Sequence, residues 1–235
     1  MGADQRPWTT DGPPAKTLSD EAYRRLRADI LRGRLTPGVK LQPEMLKAEY
    51  GIGTSPLREA LSRMAAEGLV KAEGQRGFTV APASINELWD VARLRQNVDV
   101  MALRLSIQLG DDDWEAAIVA AYHRLAKLDE QMRETPEAIG EEWERRHRAF
   151  HFALEGACAS PWLLRVCEML YDQSERYRRL YIDYGRMPAR VDDQHQQIMN
   201  AALARDADTA CRLLTDHIES TARIASGALA ERMGR

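Results

Sequence analysis

The chain has 235 residues, a hydrophobic fraction of 44% and a formal net charge of −3. These values suit a globular protein of one large or two small domains with a buried core. They exclude a membrane-spanning protein, since no apolar run approaches the roughly 20 residues that a span needs. The first residues also lack the apolar stretch of a secretion signal, so we expect a cytoplasmic protein with no membrane partner.

The charge is unevenly distributed along the chain. The first 83 residues carry 13 Lys and Arg against 10 Asp and Glu, whereas the remainder carries 20 against 26. A basic front is compatible with a nucleic-acid partner but does not by itself indicate one, because charged residues usually lie on solvated faces. The cysteines are odd in number and lack a C-x-x-C spacing, so we interpret Cys158, Cys167 and Cys211 as core residues.

The N-terminal part predicts an arm and then a helix. Residues 1–16 are rich in Pro and Gly and poor in apolar side chains, which is typical of a disordered arm. From Ser19 to Arg32 apolar residues recur at helical spacing, and Gly33 ends this predicted helix.

Residues 46–70 predict two helices joined by a glycine turn. The first ends at Gly51, and the second is predicted to begin at Ser55 and Pro56, since a hydroxyl N-cap followed by proline satisfies the free donors of a helix start. Three apolar residues of the second helix recur at the helical period and face a core, namely Leu57, Leu61 and Met64. Its other side is therefore free to meet a partner.

Two short strands are predicted next, at 69–73 and 78–81. Glycines at 74 and 77 suit the turn of a hairpin between them. The order helix, turn, helix, hairpin predicts a winged helix-turn-helix over residues 17–82.

The remainder, residues 83–235, predicts an all-α domain, because its apolar residues keep a helical period between start and stop signals. Helices are predicted at 85–109, 114–132, 135–157, 160–184, 188–205 and 208–232. No repeat of roughly 30 to 45 residues is visible, which favours a bundle over a solenoid. The predicted fold is mainly α: an N-terminal winged helix-turn-helix, then an antiparallel bundle of about six helices.

The N-terminal motifs resemble the DNA-binding domain of GntR-family transcriptional regulators. The matching segments are Gly33-x-Leu35-x-Pro37-Gly38-x-x-Leu41, Ser55-Pro56-Leu57-Arg58-Glu59-Ala60-Leu61, Glu67-Gly68-Leu69-Val70 and Arg76-Gly77-Phe78-x-Val80. The resemblance implies a helix in the major groove, where arginine binds the two acceptors of guanine. Arg58 matches the family's base-reading arginine, and Thr54 stands where many relatives carry another arginine.

Other residues of this surface have less specific predicted roles. Candidates for phosphate contacts are Ser55, Ser62 and Arg63. At the wing, Arg76 and Gly77 are candidates for contacts with the minor groove or the DNA backbone. Plain solvation is the alternative for Arg63 and Arg76. Regulators of this kind bind inverted half-sites as two-fold dimers, so the resemblance implies a homodimer on a double-stranded operator.

The helical part contains all five histidines. His147 and His151 are four residues apart, so their rings leave one face of a helix about 6 Å apart, and two imidazoles so placed can bind one ion. His195 and His217 lie on two later predicted helices, and bundles build metal sites by converging such side chains. The alternative is that His147 and His151 lie on a solvated face among arginines.

The second domain resembles the FCD effector-binding domain of the FadR subfamily of GntR regulators. The matching segments are Phe150-His151-x-Ala153-Leu154, Ser160-Pro161-x-Leu163, Asp193-x-His195, Ala207-x-x-Ala210 and Asp216-His217-Ile218. In that domain a carboxylate and three histidines bind a divalent metal. His151, His195 and His217 match the histidines, whereas His147 replaces the carboxylate. An all-nitrogen set favours Zn²⁺ or Ni²⁺ over Mn²⁺.

Arg95 and Asp99 match the Arg-x-x-x-Glu pair of the same domain, with Asp in place of Glu. A guanidinium beside a metal would bind a carboxylate effector bidentately. The alternative is an exposed ion pair within one helix, which contributes only about 0.3 to 0.5 kcal/mol.

Together these patterns predict a transcriptional regulator. The subfamily's usual action is repression relieved by a small carboxylate. Residues 160–178 are similar to the branch that includes a carbon-starvation-induced repressor of glutarate and γ-aminobutyrate catabolism, which makes a short dicarboxylate the first effector to test.

Two alternatives come from other functional classes. The first is a metal-dependent enzyme that uses His147, His151, His195 and His217, and the second is a structural DNA-bending protein. No H-E-x-x-H, G-x-S-x-G or phosphate-binding loop is present in the sequence, and DNA bending does not need a six-helix pocket. We therefore predict a regulator and not an enzyme.

Overall fold

The computed structural model describes residues 17–74, 77–134, 140–182 and 191–233. The N-terminal domain contains α1 (Leu18–Leu31), β1 (Lys40–Leu41), α2 (Pro43–Tyr50), α3 (Thr54–Ala66), β2 (Val70–Ala72) and β3 (Phe78–Val80). The helical domain contains α4 (Ile85–Leu109), α5 (Asp112–Glu134), α6 (Gly140–Glu155), α7 (Pro161–Ile182), α8 (Val191–Leu203) and α9 (Ala207–Met233). The predicted fold class is confirmed. The arm predicted for residues 1–16 lies outside the described residues.

Helices α2 and α3 form the predicted helix-turn-helix. Gly51 ends α2 in the left-handed region, with φ of 68°, a conformation that glycine adopts without a steric penalty. Helix α3 begins at Thr54, and its N-cap is Gly53, which has no side chain to accept a capping hydrogen bond. The prediction that Ser55 is the N-cap is therefore wrong, because Ser55 lies inside the helix. Pro56 is tolerated because it lies within the first turn, where its missing N–H breaks no helical hydrogen bond.

The wing is a three-stranded sheet with the order β1-β3-β2. Strand β3 pairs antiparallel with both neighbours, placing Phe78 opposite Leu41 on one side and Ala72 on the other. The sequence reasoning missed β1, since a two-residue strand has too few positions to show alternation. The sheet covers one side of the core that also holds Leu26, Leu57 and Leu61.

The helical domain is built around a second core, to which α4, α5, α6, α8 and α9 all contribute. Side chains cap the starts of α5 and α7: Asp111 Oδ1 accepts from Trp114 N at 3.0 Å, and Ser160 Oγ accepts from Leu163 N at 3.3 Å. The predicted start at 135–136 lies outside the described residues. None of the described helices combines the length and the apolar character needed to cross a membrane.

Part of the apolar surface of α4 lies outside both of these cores. Leu94, Met101 and Leu109 are 47%, 56% and 57% exposed, whereas Val98 and Leu105 between them are half-buried and pack against a small third cluster that includes Phe152 and Tyr171. We call these five residues the outer stripe. The buried face of α4 carries a polar pair, Arg95 and Asp99, among apolar residues such as Leu103.

Candidate functional site

Helix α3 presents a polar surface to solvent. Ser55, Arg58 and Ser62 are exposed and Thr54 is half-buried, while the apolar side of the helix, including Leu57, is fully buried. Among the residues that the structure describes, none forms an ion pair with Arg58. Its guanidinium is therefore available to an outside partner, as an arginine that reads DNA must be.

Arg63 lies on the same helix but is engaged within the domain. Its guanidinium lies over the Tyr23 ring at 3.8 Å and approaches Glu67 at 3.4 Å and Asp20 at 3.6 Å. Two carboxylates thus offset its charge. The side chain is still 55% exposed, so it borders the surface that carries Arg58.

The wing residues divide between the described and the undescribed parts of the chain. Arg76 lies outside the described residues. Gly77 has φ of 97°, which favours glycine, and its carbonyl accepts from Glu73 N at 2.9 Å. The structure thus gives Gly77 a backbone role in closing the hairpin.

Four histidines from three helices converge in the helical domain. Helix α6 supplies His147 and His151, α8 supplies His195, and α9 supplies His217. One ligand atom from each lies within 4.8 Å of all the others. We call these four side chains the imidazole cluster. All are buried, with at most 4% exposure, which excludes the alternative of a solvated face.

Burial keeps the imidazole cluster neutral. It lowers the pKa of His195 to about 3, with a smaller effect from the positive charge of Arg178. Burial likewise holds the pKa values of His147, His151 and His217 well below the usual range, and neighbouring imidazoles add to the effect. A neutral imidazole offers a lone pair to a metal ion, which a protonated one cannot do.

The cluster fits a metal ion because its own hydrogen bonds are incomplete. Within the part of the chain that the structure describes, neither ring nitrogen of His195 has a hydrogen-bond partner, nor does Nδ1 of His151. The Nε2 atoms of His147 and His151 lie 3.1 Å apart. A buried polar atom without a partner costs about 1 to 3 kcal/mol, and a cation that takes one nitrogen from each ring removes part of this cost.

Two further side chains orient the imidazoles. The amide oxygen of Gln194 lies 3.1 Å from His217 Nδ1 and can only accept, so Nδ1 carries the proton and Nε2 keeps a free lone pair. The Tyr171 hydroxyl lies 2.6 Å from His147 Nδ1, and this hydrogen bond orients the His147 ring with its Nε2 atom toward the cluster. The sequence did not predict these contacts of Tyr171 and Gln194, because spacing along one helix does not give the register between helices.

The predicted pair of Arg95 and Asp99 is buried, at 3% and 1% exposure. The alternative of an exposed ion pair is therefore wrong. Arg95 donates from Nε to Asp99 at 2.9 Å and from Nη1 to Ser174 Oγ at 3.0 Å. The nearby Glu155 is buried too, and burial together with the charge of Asp99 raises its pKa well above the usual range.

The two domains define a class of protein. An N-terminal winged helix-turn-helix with an exposed arginine on its second helix is suited to read duplex DNA. A helical bundle with a buried cluster of four imidazoles follows it in the same chain. The arrangement is that of a two-domain DNA-binding regulator.

Comparison with known families agrees with this class. Residues 18–80 match the bacterial regulatory proteins of the gntR family, and residues 90–220 match the FCD domain. The chain belongs to the GntR family of bacterial transcriptional regulators and carries an FCD domain.

Individual relatives share most of the chain. It is 43% identical over 206 residues to the HTH-type transcriptional regulator BphR of Paraburkholderia xenovorans, covering 88% of this chain and 84% of BphR. It is 38% identical over 214 residues to the HTH-type transcriptional repressor GlaR of Escherichia coli, covering 89% and 96%. The structure of E. coli McbR/YncC has a similar fold, with a TM-score of 0.75, 20% identity and coverage of 90% and 98%. These families and relatives are transcriptional regulators and not enzymes, so the enzyme alternative is not supported.

Proposed function

We propose that this protein is a homodimeric transcriptional repressor that acts in the cytoplasm and binds an operator with inverted half-sites. A divalent metal in the imidazole cluster and a small carboxylate effector beside it control the affinity for that operator. The name of the relative GlaR, a repressor, supports the sense of regulation. The single observation that carries the proposal is the convergence of four buried imidazoles behind a DNA-binding domain.

Zn²⁺ or Ni²⁺ is the cation that the cluster would hold. His147, His151, His195 and His217 offer only nitrogen, and these two ions accept such a set. A resident divalent ion supplies Lewis acidity and open positions for carboxylate oxygens. The chain's own contribution is to fix the imidazoles and to exclude water: Gln194 holds the tautomer of His217, and Tyr171 orients the ring of His147.

Arg95 and Asp99 are the proposed effector-binding pair. Asp99 fixes the guanidinium of Arg95 on one edge, while Nη1 on the other edge donates to the hydroxyl of Ser174. A ligand carboxylate can replace that neutral hydroxyl without breaking an ion pair, and it gains a charge-assisted hydrogen bond. A short dicarboxylate would leave its second carboxylate for the metal.

Helix α3, which we call the reading helix, carries the proposed contact surface for DNA. Arg58 would bind guanine, with Thr54 beside it at the start of the helix. Ser55, Ser62 and Arg63 would contact phosphates, and Arg76 and Gly77 at the wing would lie against the minor groove or backbone.

The outer stripe is the proposed dimer surface. Its five apolar residues recur at intervals of three and four, so they form one continuous face of α4. Beside it, the first half of α7 exposes Trp162, Val166 and Met169 at 73%, 36% and 41%. A second copy covers such a surface in a two-fold arrangement, which also places two reading helices on one duplex.

The test begins with a duplex selected from a random pool by the purified full-length protein. Binding of this duplex is measured by fluorescence anisotropy after chelation, after addition of Zn²⁺ or Ni²⁺, and then with a panel of mono- and dicarboxylic acids. We expect one metal ion per chain, an inverted repeat in the selected duplex, and release by at least one dicarboxylate. The proposal would be overturned if no inverted repeat is selected, or if neither a metal nor an acid changes the affinity for the selected duplex.

A further inference from the structure

Two consecutive residues of α6 contact two consecutive residues of α7. His147 of the imidazole cluster is bonded to Tyr171 at 2.6 Å. The next residue on each helix makes the next contact: Arg148 Nη1 donates to Asp172 Oδ1 at 2.5 Å. Neighbours on a helix are only 1.5 Å apart along its axis, so a shift of α6 against α7 changes both contacts together.

The same stretch of α7 holds the DNA-binding domain. Asp172 accepts from Arg27 Nε of α1 at 3.1 Å and also forms an ion pair with the Nη2 group of that arginine. Gln173 Nε2 donates at 2.9 Å to the backbone carbonyl of Glu67, the residue that caps the C-terminal end of the reading helix. Residues 171–173 therefore face the imidazole cluster on one side and α1 and α3 on the other.

Asp172 is the centre of this arrangement. The guanidinium groups of Arg27 and Arg148 outweigh its burial and hold the pKa of Asp172 below the usual range, so its charge persists. The two arginines come from different domains and share one carboxylate, which is only 10% exposed. A change in the position of Arg148 therefore alters the electrostatic attraction between Asp172 and Arg27, because water screens charges poorly in this buried site.

We propose that residues 171–173 of α7 couple the imidazole cluster to the reading helix. A metal ion in the cluster fixes the position of His147, and His147 in turn positions Tyr171. The resulting shift of α7 reaches α1 through Asp172 and the C-terminal end of α3 through Gln173. The inference rests on the proposed function. It adds the route by which the metal site and the DNA-binding surface influence each other, and that influence is reciprocal for binding.

The experiment measures the affinity of the full-length protein for the selected duplex with and without Zn²⁺. The ratio of these two affinities is the readout. Coupling between two sites typically changes affinity about 5- to 150-fold, and we expect the wild-type ratio to fall in this range. In Arg27→Gln the ratio falls below about twofold, because Asp172 keeps Arg148 but loses its partner in the DNA-binding domain. Gln173→Leu, which removes a neutral bond and no charge, also moves the ratio toward one.

The control is Arg32→Gln. Arg32 pairs with Glu141 of α6, so it also joins the two domains, but it does so on the exposed surface and without α7. This variant should keep the wild-type ratio within about twofold. If it loses coupling as fully as Arg27→Gln does, or if Arg27→Gln and Gln173→Leu both keep the wild-type ratio, the route through α7 is wrong.

Zinc stoichiometry and duplex binding are measured on the same samples, which separates the two proposals. If wild-type protein shows the expected ratio but Arg27→Gln and Gln173→Leu keep it, the route through α7 falls while the proposed function stands. If wild-type protein binds zinc and duplex but zinc leaves the duplex affinity unchanged, control by the metal falls and the route falls with it. If wild-type protein binds neither, the proposed function falls and takes this inference with it.

Discussion

The reading helix and the imidazole cluster place their functional groups in opposite surroundings. Arg58 and its polar neighbours come from a single helix and face solvent. The histidines come from three helices separated by up to 70 positions in the chain and are almost completely buried. Exposed groups keep their hydration until a partner arrives, whereas buried polar groups must be satisfied within the fold. Substitutions at the cluster should therefore have larger effects than substitutions on the reading helix.

The largest effect is expected from His195→Ala. A metal present at about 1,000 times its dissociation constant stabilises the native state by about 4 kcal/mol, and most of this gain should be lost with a ligand. The apo protein should change less, because the His195 ring nitrogens have no hydrogen-bond partners to lose among the described residues. Thermal unfolding with and without Zn²⁺ measures both effects.

His123→Ala is the matched control for that experiment. His123 is exposed and lies outside the cluster, so the stabilisation by zinc should remain. An equal zinc-dependent rise of Tm in His195→Ala and wild type would contradict a metal site made of these imidazoles.

The next largest effect concerns the outer stripe. Met101→Glu places a charge at the middle of the proposed dimer surface and should give a monomer in analytical ultracentrifugation. Duplex affinity should fall at least about 100-fold, which corresponds to about 2.7 kcal/mol. Val119→Glu makes the same change at a 47% exposed site on α5 and should leave the dimer intact. A dimeric Met101→Glu would place the dimer surface elsewhere.

A smaller effect is expected on the reading helix. Arg58→Ala should reduce affinity by about 1 to 3 kcal/mol and relax the preference for one guanine in each half-site. Arg63→Ala should instead weaken binding evenly across sequences and lower the salt dependence by about one phosphate contact. Competition between duplexes that differ at single positions distinguishes the two. An unchanged base preference in Arg58→Ala would remove this residue from base recognition.

The smallest effect is expected from Glu155→Gln near pH 5. Burial raises the pKa of Glu155 in the folded protein. Protonation of this carboxyl therefore stabilises the folded state below the unfolded pKa, and that stabilisation is lost as pH rises from the unfolded pKa to the folded pKa. Glutamine does not titrate, and its relative stability should grow by about 1.4 kcal/mol per pH unit over that window. Urea unfolding from pH 5 to 8 tests the sign. A variant less stable than wild type at pH 8 would show that Glu155 is needed in its charged form.

The same contrast explains what the sequence could predict. The helix-turn-helix depends on signals within a few residues, such as Gly51 and the period of Leu57 and Leu61, and these were interpreted correctly apart from the N-cap. The histidines were predicted to meet because of their helical spacing and their resemblance to a known domain. That Tyr171 lies against His147, and Asp172 against Arg27, depends on how the helices pack, which no spacing within one helix contains.

The outer stripe teaches a related lesson. The apolar period of α4 predicted a helix correctly, but a period gives only the existence of an apolar face and not what covers it. In the structure the inward side of α4 carries Arg95 and Asp99, and much of the stripe faces outward. Polar residues on a buried face are themselves a sign of a binding site.

One contact of the cluster makes the protein suitable for direct optical study. The indole of Trp143 stacks on the ring of His147 at a centroid distance of 4.5 Å and an angle of 18°, and Trp143 is 1% exposed. Open-shell ions such as Ni²⁺ quench the fluorescence of an adjacent indole, whereas closed-shell Zn²⁺ does not. For the metal site proposed above, the Trp143 contribution to the emission of an unlabelled sample should fall when Ni²⁺ binds and recover when Zn²⁺ replaces it.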